Sequence, residues 1–236
     1  GCNQFAGELK DKAIDAFVIN PVDGSLLLAD SAAGELRKIN SEGAVVASST
    51  AAISPAPVLR LHGGLLLMNS AEGPAISVFR YENNAFAKQL DEILLLPPVG
   101  QQLAASRVRD FIWSGNAWWV ILHDPVSGTD QLHRFDEDWS YLSTITLTAD
   151  TGALQLIRWG QKTLVNDPNF PTIQRYNAEG AVEAPFVSSQ LQALISSQQK
   201  RTKLASLAWN AGLLVCALAA VLCFGLGYFQ ALRTLV

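Results

Sequence analysis

The chain has 236 residues, which is enough for one large domain or two small ones. Its formal net charge of -4 and pI near 5.4 argue against a nucleic-acid partner, because binding phosphate groups requires concentrated Lys and Arg. Only 16% of the residues are charged and 49% are apolar, and the apolar excess is concentrated in residues 204–232, which contain no charged residue.

The N-terminal arm, residues 1–11, contains Cys2, the first of three cysteines. The first two residues match the end of a bacterial lipobox, with Cys2 as the lipidated residue. They also fit a glycine exposed by removal of Met, or a truncated chain. Cys216 and Cys223 lie in the apolar segment, so residues 3–215 contain no cysteine. This excludes a disulfide within that region and a zinc site with thiolate ligands there.

Residues 12–187 contain a strand-and-turn pattern that occurs four times. Each copy has a basic residue, a large apolar residue, an acidic or amide residue and then a polar turn. The copies read ELRKINSEGAVV (35–46), SVFRYENNAFAK (77–88), QLHRFDEDWSYL (131–142) and TIQRYNAEGAVE (172–183), with the basic residues Lys38, Arg80, Arg134 and Arg175. Upstream of each copy, a short strand, a turn and an apolar strand ending in Asp or Asn complete the unit.

Four short strands in about 40–45 residues are typical of one blade of a β-propeller. We therefore predict an all-β fold, a four-bladed β-propeller that is either complete or lacks further blades, followed by a C-terminal α-helical stalk and a single transmembrane helix. The predicted blades are residues 12–50, 54–96, 107–148 and 153–187.

This pattern resembles that of the NHL and SMP-30-like β-propellers, whose blades carry a strand ending in Asp followed by a strand ending in an "rfd.dG"-like turn. The resemblance covers residues 12–187 and implies the propeller fold. SMP-30-like lactonases bind a divalent ion with a glutamate, asparagines and an aspartate on the propeller axis, and such oxygen ligands suit calcium. The resemblance therefore implies candidate metal ligands at the ends of the second strands, namely Asp30, Asn69, Asp124 and Asn166, with Asp167 beside the last.

The residue types at those strand ends favour a second interpretation. Asp and Asn side chains at strand ends commonly cap turns by accepting hydrogen bonds from nearby backbone amides. No glutamate stands at an equivalent position on the inner strands. The residues alone thus favour turn caps over metal ligands.

The histidines and the repeated basic residues are the remaining site candidates. His62, His123 and His133 are too scattered for a zinc set, so turn or edge roles are expected. The repeated basic residues fit either a ring that binds an acidic partner or side chains that pack on the sheet and pair with carboxylates. The sequence contains no nucleophile elbow, phosphate loop or dinucleotide fingerprint. We therefore predict no catalytic residues and no cofactor.

Four tryptophans concentrate in the third blade, Trp113, Trp118, Trp119 and Trp139. Adjacent residues of a strand point to opposite faces of the sheet. One of Trp118 and Trp119 is therefore expected to pack between blades, and the other to face a neighbouring blade or a partner.

The C-terminal part predicts a helical linker over residues 188–203 and a transmembrane helix over 204–232, with a tail at 233–236. Ser188 or Ser189 is a helix N-cap candidate, and Leu191, Leu194 and Ile195 follow at helical spacing. The 29 uncharged residues of 204–232 exceed the roughly 20 that cross the hydrocarbon core. Trp209 near one edge and Tyr228 and Phe229 near the other suit the membrane interfaces.

One face of the predicted transmembrane helix carries small residues at intervals of four: Ala208, Gly212, Cys216 and Ala220. Such a face allows another helix to approach closely, although it is equally compatible with exposure to lipid. Lys200, Arg201 and Lys203 precede the span and only Arg233 follows it, so the positive-inside rule places the propeller in the cytoplasm. A lipidated Cys2 would instead place it on the extracytoplasmic or periplasmic side.

These features together predict a single-pass membrane protein whose propeller is a non-catalytic scaffold or accessory subunit of a membrane complex. Its expected partners are the lipid bilayer and other transmembrane subunits. The alternatives are a metal-dependent, lactonase-like hydrolase and the ligand-sensing part of a membrane receptor.

Overall fold

A computed structural model of the chain describes residues 14–96, 106–147, 154–166 and 173–186, together with the helical residues Ala193, Ser196, Ser197 and Lys200. The chain divides into two units, Gly1–Phe186 and Val187–Val236. No helix among the described residues is both long and apolar enough to cross a bilayer. The predicted transmembrane segment, the small-residue face, Cys2 and Asp167 all lie outside the described residues.

The first unit contains four antiparallel sheets, each of four strands that follow one another in chain order. Blade 1 consists of β1 (Ala16–Ile19), β2 (Leu26–Asp30), β3 (Glu35–Ile39) and β4 (Val45–Thr50). Blade 2 consists of β5 (Leu59–His62), β6 (Leu65–Asn69), β7 (Ala75–Phe79) and β8 (Gln89–Leu94), with a 3-10 turn at Asn83–Ala85. Blade 3 consists of β9 (Arg107–Ser114), β10 (Ala117–Asp124), β11 (Thr129–Phe135) and β12 (Tyr141–Ile145). Blade 4 consists of β13 (Gln155–Trp159), β14 (Lys162–Asn166), β15 (Ile173–Tyr176) and β16 (Val182–Phe186). The predicted all-β fold and its four repeats are confirmed.

Each blade packs face to face on the next, so three separate hydrophobic cores lie between the four sheets. Leu27 and Leu36 of blade 1 meet Leu66 of blade 2 in the first core. The second core joins blades 2 and 3, and the third joins blades 3 and 4. Because side chains alternate along a strand, one strand of a middle blade contributes to two cores.

The tryptophan pair of β10 shows this alternation directly. Trp118 lies in the core between blades 2 and 3, and Trp119 lies in the core between blades 3 and 4. Their side chains are 1% and 0% exposed. Both therefore pack between blades, which decides between the two alternatives left open by the sequence. A buried indole contributes several kcal/mol through its large apolar area, about 3–5 kcal/mol by the cost of truncation.

The register of the third and fourth strands corrects one part of the sequence alignment. In blades 1 and 3 the pairing shifts directly after the basic residue, between Lys38 and Ile39 and between Arg134 and Phe135. In blade 2 the same shift lies between Val78 and Phe79. The residue equivalent to Lys38 and Arg134 is therefore Val78, and the alignment of Arg80 with them is wrong. Arg80 is exposed and follows the end of β7.

The first hairpin turn of blade 3 brings the backbone of two blades close together. Gly115 and Asn116 between β9 and β10 both have positive φ, 58° and 61°, as a type I′ turn requires. A Cβ atom placed on Gly115 would lie 2.7 Å from the Cα of Ala178 in blade 4. Glycine at this position thus serves both the turn and the contact between blades.

Gly115→Ala should therefore destabilise the fold more than Gly128→Ala, measured by thermal or denaturant unfolding. Gly128 also has positive φ, 71°, but a Cβ added there meets nothing within 4 Å. The control should cost about 1 kcal/mol for the left-handed backbone alone. Gly115→Ala should cost about 1–3 kcal/mol more, because the overlap with Ala178 forces the blades apart. Equal losses would contradict the close contact.

Candidate functional site

The first strands of all four blades line one central cavity of about 510 Å³ near the ends where these strands begin. This volume lies within the range of small-molecule sites. Its polar lining residues are Asp15, Arg60, Arg109, Asp110 and Gln155. A cavity bordered by every blade is the natural candidate site of this fold.

Asp110 on β9 is the most enclosed carboxylate of the central cavity. One oxygen, Oδ1, accepts hydrogen bonds from Nη2 of Arg60 at 2.8 Å and from the backbone amide of Phe111 at 2.8 Å. The other oxygen, Oδ2, accepts the backbone amide of Leu156 in blade 4 at 2.7 Å. Burial raises the pKa of Asp110 above its ordinary value, against the opposing effect of the Arg60 charge. Its oxygens are thus held by groups from blades 2, 3 and 4.

A second carboxylate, Asp130 at the start of β11, has a fully buried side chain. Like Asp110, it binds both an arginine and a backbone amide of blade 4. Its Oδ1 lies 2.7 Å from Nδ1 of His123 and 3.3 Å from Nε of Arg109. Its Oδ2 accepts the backbone amide of Leu154 in blade 4 at 2.9 Å. Blade 3 therefore holds the inner end of blade 4 with two buried carboxylates.

The remaining acidic group of the lining, Asp15, is also engaged. It accepts the backbone amide of Ser31 at 2.7 Å and the Ser31 hydroxyl at 2.5 Å. These hydrogen bonds lower the pKa of Asp15. The charged groups of the central cavity therefore connect strands and blades, and Asp110 is the lining carboxyl whose raised pKa best suits proton transfer.

Arg60, Arg109, Asp110 and Asp130 were not among the site residues predicted from the sequence. A signal for three of them was present, because PVLRL and RVRDFIW place charged residues inside strands that otherwise read as apolar. Charged side chains are rarely buried unless they are paired. An unpaired charge in a buried-strand pattern therefore indicates a partner elsewhere in the fold.

The four candidate metal ligands have individual structural contacts. Asp30 accepts the backbone amide of Ala33 at 2.9 Å, so it caps its own turn. Asp124 does the same with the amide of Val126 at 2.9 Å. The Nδ2 of Asn166 lies 3.4 Å from Oε1 of Gln155.

Asn69 goes beyond a local turn cap. Its Oδ1 accepts the amide of Val58 at 2.7 Å, and its Nδ2 donates to the carbonyl oxygen of Val108 in blade 3 at 3.0 Å. Across the described ranges, no three His, Cys, Asp or Glu side chains are grouped so that they could hold a metal ion. Asp30, Asn69 and Asp124 thus each use one side-chain oxygen to accept a backbone amide.

The three histidines lie in different environments. His62 packs against Trp113 with ring centroids 4.7 Å apart, and His123 belongs to the Asp130 cluster. His133 differs from the expected turn or edge role, because it lies within β11 and is fully buried. Its Nδ1 is 2.9 Å from Oγ1 of Thr144, and burial lowers its pKa to about 4.

Two of the repeated basic residues, Lys38 and Arg134, contact the following blade. Lys38 lies 5.7 Å from the ring centroid of Tyr81 in blade 2, and its Nζ is 3.4 Å from Oδ2 of Asp23. Arg134 lies over the Trp119 ring at 5.3 Å, and its Nη1 donates to the carbonyl oxygen of Glu179 in blade 4 at 2.6 Å.

Arg175 pairs with Glu183 within its own blade at 2.8 Å. The expected pairing with carboxylates thus holds for Lys38 and Arg175. Arg134 uses backbone carbonyls and an aromatic ring instead, and Arg80 is not equivalent to the other three.

Comparison with solved structures shows the same fold at low sequence identity. The chain is similar to a luciferin-regenerating enzyme (TM-score 0.53, 11% identity, covering 74% of this chain and 60% of that one). It is also similar to a streptogramin B lyase, with a TM-score of 0.54 and 13% identity, over 78% of this chain and 58% of the lyase. A third similar structure is regucalcin, a calcium-binding protein from Agrobacterium tumefaciens. Its TM-score is 0.50 at 14% identity, over 73% of this chain and 57% of regucalcin.

These proteins are β-propellers, and the chain spans 57–60% of their length. No family model and no curated protein sequence matches the chain. At such low identity, the likeness establishes the fold alone.

The buried His133 should give the protein an acid-sensitive step in stability. Its pKa falls from about 6.5 in the unfolded chain to about 4 in the fold, so the unfolded chain binds the proton more tightly between these values. The free energy of unfolding should therefore fall by up to roughly 3 kcal/mol as pH decreases from 6.5 to 4. His133→Gln should be less stable at pH 7 but should lose much less stability over this range.

Thr144→Val is the matched control for the titration of His133. It removes the hydroxyl beside Nδ1 but keeps the imidazole, so its pH dependence should stay close to that of the wild type. Denaturant unfolding at several pH values measures both. Parallel curves for the wild type and His133→Gln would show that another group titrates.

Proposed function

We propose that this chain is a membrane-anchored β-propeller that acts as a non-catalytic scaffold or accessory subunit of a membrane protein complex. One observation carries the proposal: the charged groups of the central cavity are bound by other parts of the fold. Asp110 holds Arg60 and the amide of Leu156, and Asp130 holds Arg109 and the amide of Leu154. Groups engaged in this way rigidify the propeller, and a rigid propeller suits binding to other subunits.

The anchor of this proposal is the uncharged segment 204–232. At 1.5 Å per residue, a helix of this length exceeds the thickness of the hydrocarbon core. Trp209 and Tyr228 near its two ends suit the interfaces. The segment lies outside the described residues, so the proposal rests on its sequence.

Orientation follows from the charges beside the anchor. Lys200, Arg201 and Lys203 precede the segment, against Arg233 after it. Positive residues are retained on the cytoplasmic side, so we place the propeller in the cytoplasm. Lipidation of Cys2 would reverse this orientation.

The rival function is a metal-dependent, lactonase-like hydrolase. It is favoured by the central cavity, which is large enough for a small substrate and contains the raised-pKa carboxyl of Asp110. The rival requires a bound divalent ion, whereas three of the four candidate ligands, Asp30, Asn69 and Asp124, accept backbone amides. A calcium-dependent rise in Tm that Asp124→Ala abolishes would favour the hydrolase over the scaffold.

The helix-packing face provides a direct test of the scaffold role. Lipid tails are as apolar as the helix, so association between helices depends on close packing. Gly212→Leu combined with Ala220→Leu should leave membrane insertion intact, because leucine is favourable in the bilayer core. The double variant should lose its partner subunits on gentle detergent extraction, measured by native mass and co-purification.

Leu218→Ile combined with Leu222→Ile is the matched control for this face. It alters two apolar residues away from the small stripe without adding bulk to it. The control should retain every partner. Full retention of partners by the Gly212 and Ala220 double variant would limit the helix to anchoring and assign any partner binding to the propeller.

The orientation is tested by labelling an engineered cysteine. Ser41 is exposed in the turn between β3 and β4, so Ser41→Cys should not disturb packing. In intact cells this variant should take up no more membrane-impermeant maleimide than the unmodified chain, and lysis should make it reactive. Labelling without lysis would place the propeller outside the cytoplasm.

A further inference from the structure

A second cavity, of about 490 Å³, lies between blades 2 and 3 and shares no lining residue with the central cavity. Its walls are mainly aromatic and aliphatic, including His62, Leu67, Val78, Trp118 and Trp139. Two acidic residues, Asp91 and Glu137, complete the lining. An apolar cavity of this size with a few polar groups has the composition of a small-molecule site.

The repeat shows what occupies the corresponding position in the neighbouring interfaces. Between blades 1 and 2, Lys38 reaches across to the Tyr81 ring. Between blades 3 and 4, Arg134 lies over the Trp119 ring and donates to the turn of blade 4. Between blades 2 and 3 the equivalent residue is Val78, which lines the cavity. This interface therefore has the aromatic rings but lacks the basic side chain that the other two supply.

The turn that closes the cavity carries an unusual residue. In blades 1 and 4 the left-handed position of this turn is held by Gly43 and Gly180, with φ of 89° and 90°. In blade 2 the same position holds Ala87, with φ of 56°, and in blade 3 it holds the bulky Trp139, with φ of 63°. A non-glycine residue in this region carries backbone strain, which tends to occur at functional sites.

The strained residue places an aromatic ring on the cavity. The Trp139 ring stacks on Trp118 with centroids 4.4 Å apart and an interplanar angle of 12°. In blade 4 a Cβ on Gly180 would lie 2.7 Å from Cδ1 of Ile145 and 3.2 Å from Cδ of Arg134, so a side chain there would be crowded by blade 3. Trp139 thus extends over Trp118 from a turn position that holds glycine in blades 1 and 4 and alanine in blade 2.

The electrostatics of the cavity favour positive charge. Asp91 and Glu137 supply two exposed carboxylates, and the described residues of the lining include no Lys or Arg. Burial lowers the pKa of His62; the charge of Glu137 opposes this effect, and the charge of Arg158 acts in the same direction as burial. Aromatic faces attract cations through their quadrupole, and the attraction grows when water is excluded.

We propose that the cavity between blades 2 and 3 binds a small organic cation, a substituted ammonium ion that takes the place of the Lys38 and Arg134 side chains in the neighbouring interfaces. The rings of Trp118 and Trp139 contact its apolar groups, and Glu137 faces its charge. This binding site goes beyond the scaffold role and does not depend on the membrane anchor.

Choline and its neutral isostere 3,3-dimethylbutan-1-ol are the matched probes, because they differ in charge and not in shape. Trp118 also has a buried Nε1 without an acceptor among the described residues, and both probes carry a hydroxyl oxygen. Isothermal titration and tryptophan fluorescence are measured on the full chain in a non-ionic detergent. Choline should bind at least about tenfold more tightly than the isostere.

Variants of the turn distinguish the contribution of the Trp139 ring to choline affinity from that of the Glu137 charge. Trp139→Gly installs the residue that blades 1 and 4 use, so the protein should fold with relieved strain and lose about tenfold or more in choline affinity. Glu137→Gln should weaken choline by about fivefold and leave the isostere unchanged. Asp138→Asn removes the adjacent carboxylate, which does not line the cavity, and should change affinity by less than about twofold.

Val78→Lys tests the comparison between interfaces most directly. The new ammonium group should occupy the cavity as Lys38 does between blades 1 and 2, raising Tm and abolishing choline binding. Val78→Met, which adds volume without charge, should retain a preference for choline over the isostere.

Three results would overturn the proposal. The first is absence of saturable choline binding up to about 10 mM. The second is equal affinity for choline and its isostere. The third is unchanged choline binding in Trp139→Gly, which would mean that Trp139 merely fills the room left by the missing basic side chain.

Discussion

The face-to-face packing of consecutive sheets is the constraint on which the rest of this structure depends. A four-stranded sheet of this size cannot bury enough apolar surface alone, so each blade is stabilised by its neighbours. In a middle blade, successive residues such as Trp118 and Trp119 enter two different cores. A one-residue slip in register would exchange these cores, and so the packing fixes the register of every middle strand.

Polar contacts then fix the angle between blades where the inner strands converge. Backbone amides at the start of β13 would be costly to bury without acceptors, and Asp110 and Asp130 supply them. The same carboxylates neutralise Arg60 and Arg109. Breaking one such buried pair leaves an uncompensated charge, which commonly costs about 3–5 kcal/mol. The central cavity is therefore rigid and electrostatically balanced, which suits a binding surface.

Two positions at which one blade differs from the others, Val78 and Trp139, indicate where a ligand could bind. In blades 1 and 3 a basic residue stands directly before the register shift between the third and fourth strands, whereas blade 2 has Val78 there. The left-handed position of the following turn is glycine in blades 1 and 4 and Ala87 in blade 2, whereas blade 3 has Trp139 there. Both exceptions meet in one interface and border one cavity. Val78 belongs to the core between blades 2 and 3 and Trp139 stacks on Trp118, so both departures shape the lining of this cavity and support the assignment of a ligand to it.

The all-β fold class and the four strand repeats of the described residues could be predicted from the sequence. Strand periodicity, turn residues and the repeated basic motif are local properties, and local patterns are preserved when the chain folds. The same is true of Asp30 and Asp124 as turn caps.

Only the tertiary structure decided which residues meet across blades. Asp110 contacts Arg60 and Leu156, which lie about fifty residues away on either side, and no local pattern links them. The equivalence of Val78 with Lys38 depended on a register shift, because the motif SVFRY offers two plausible alignments and pairing selects one. The burial of His133 likewise follows from the sheets stacked on both sides of β11, and its neighbours in the sequence do not reveal it.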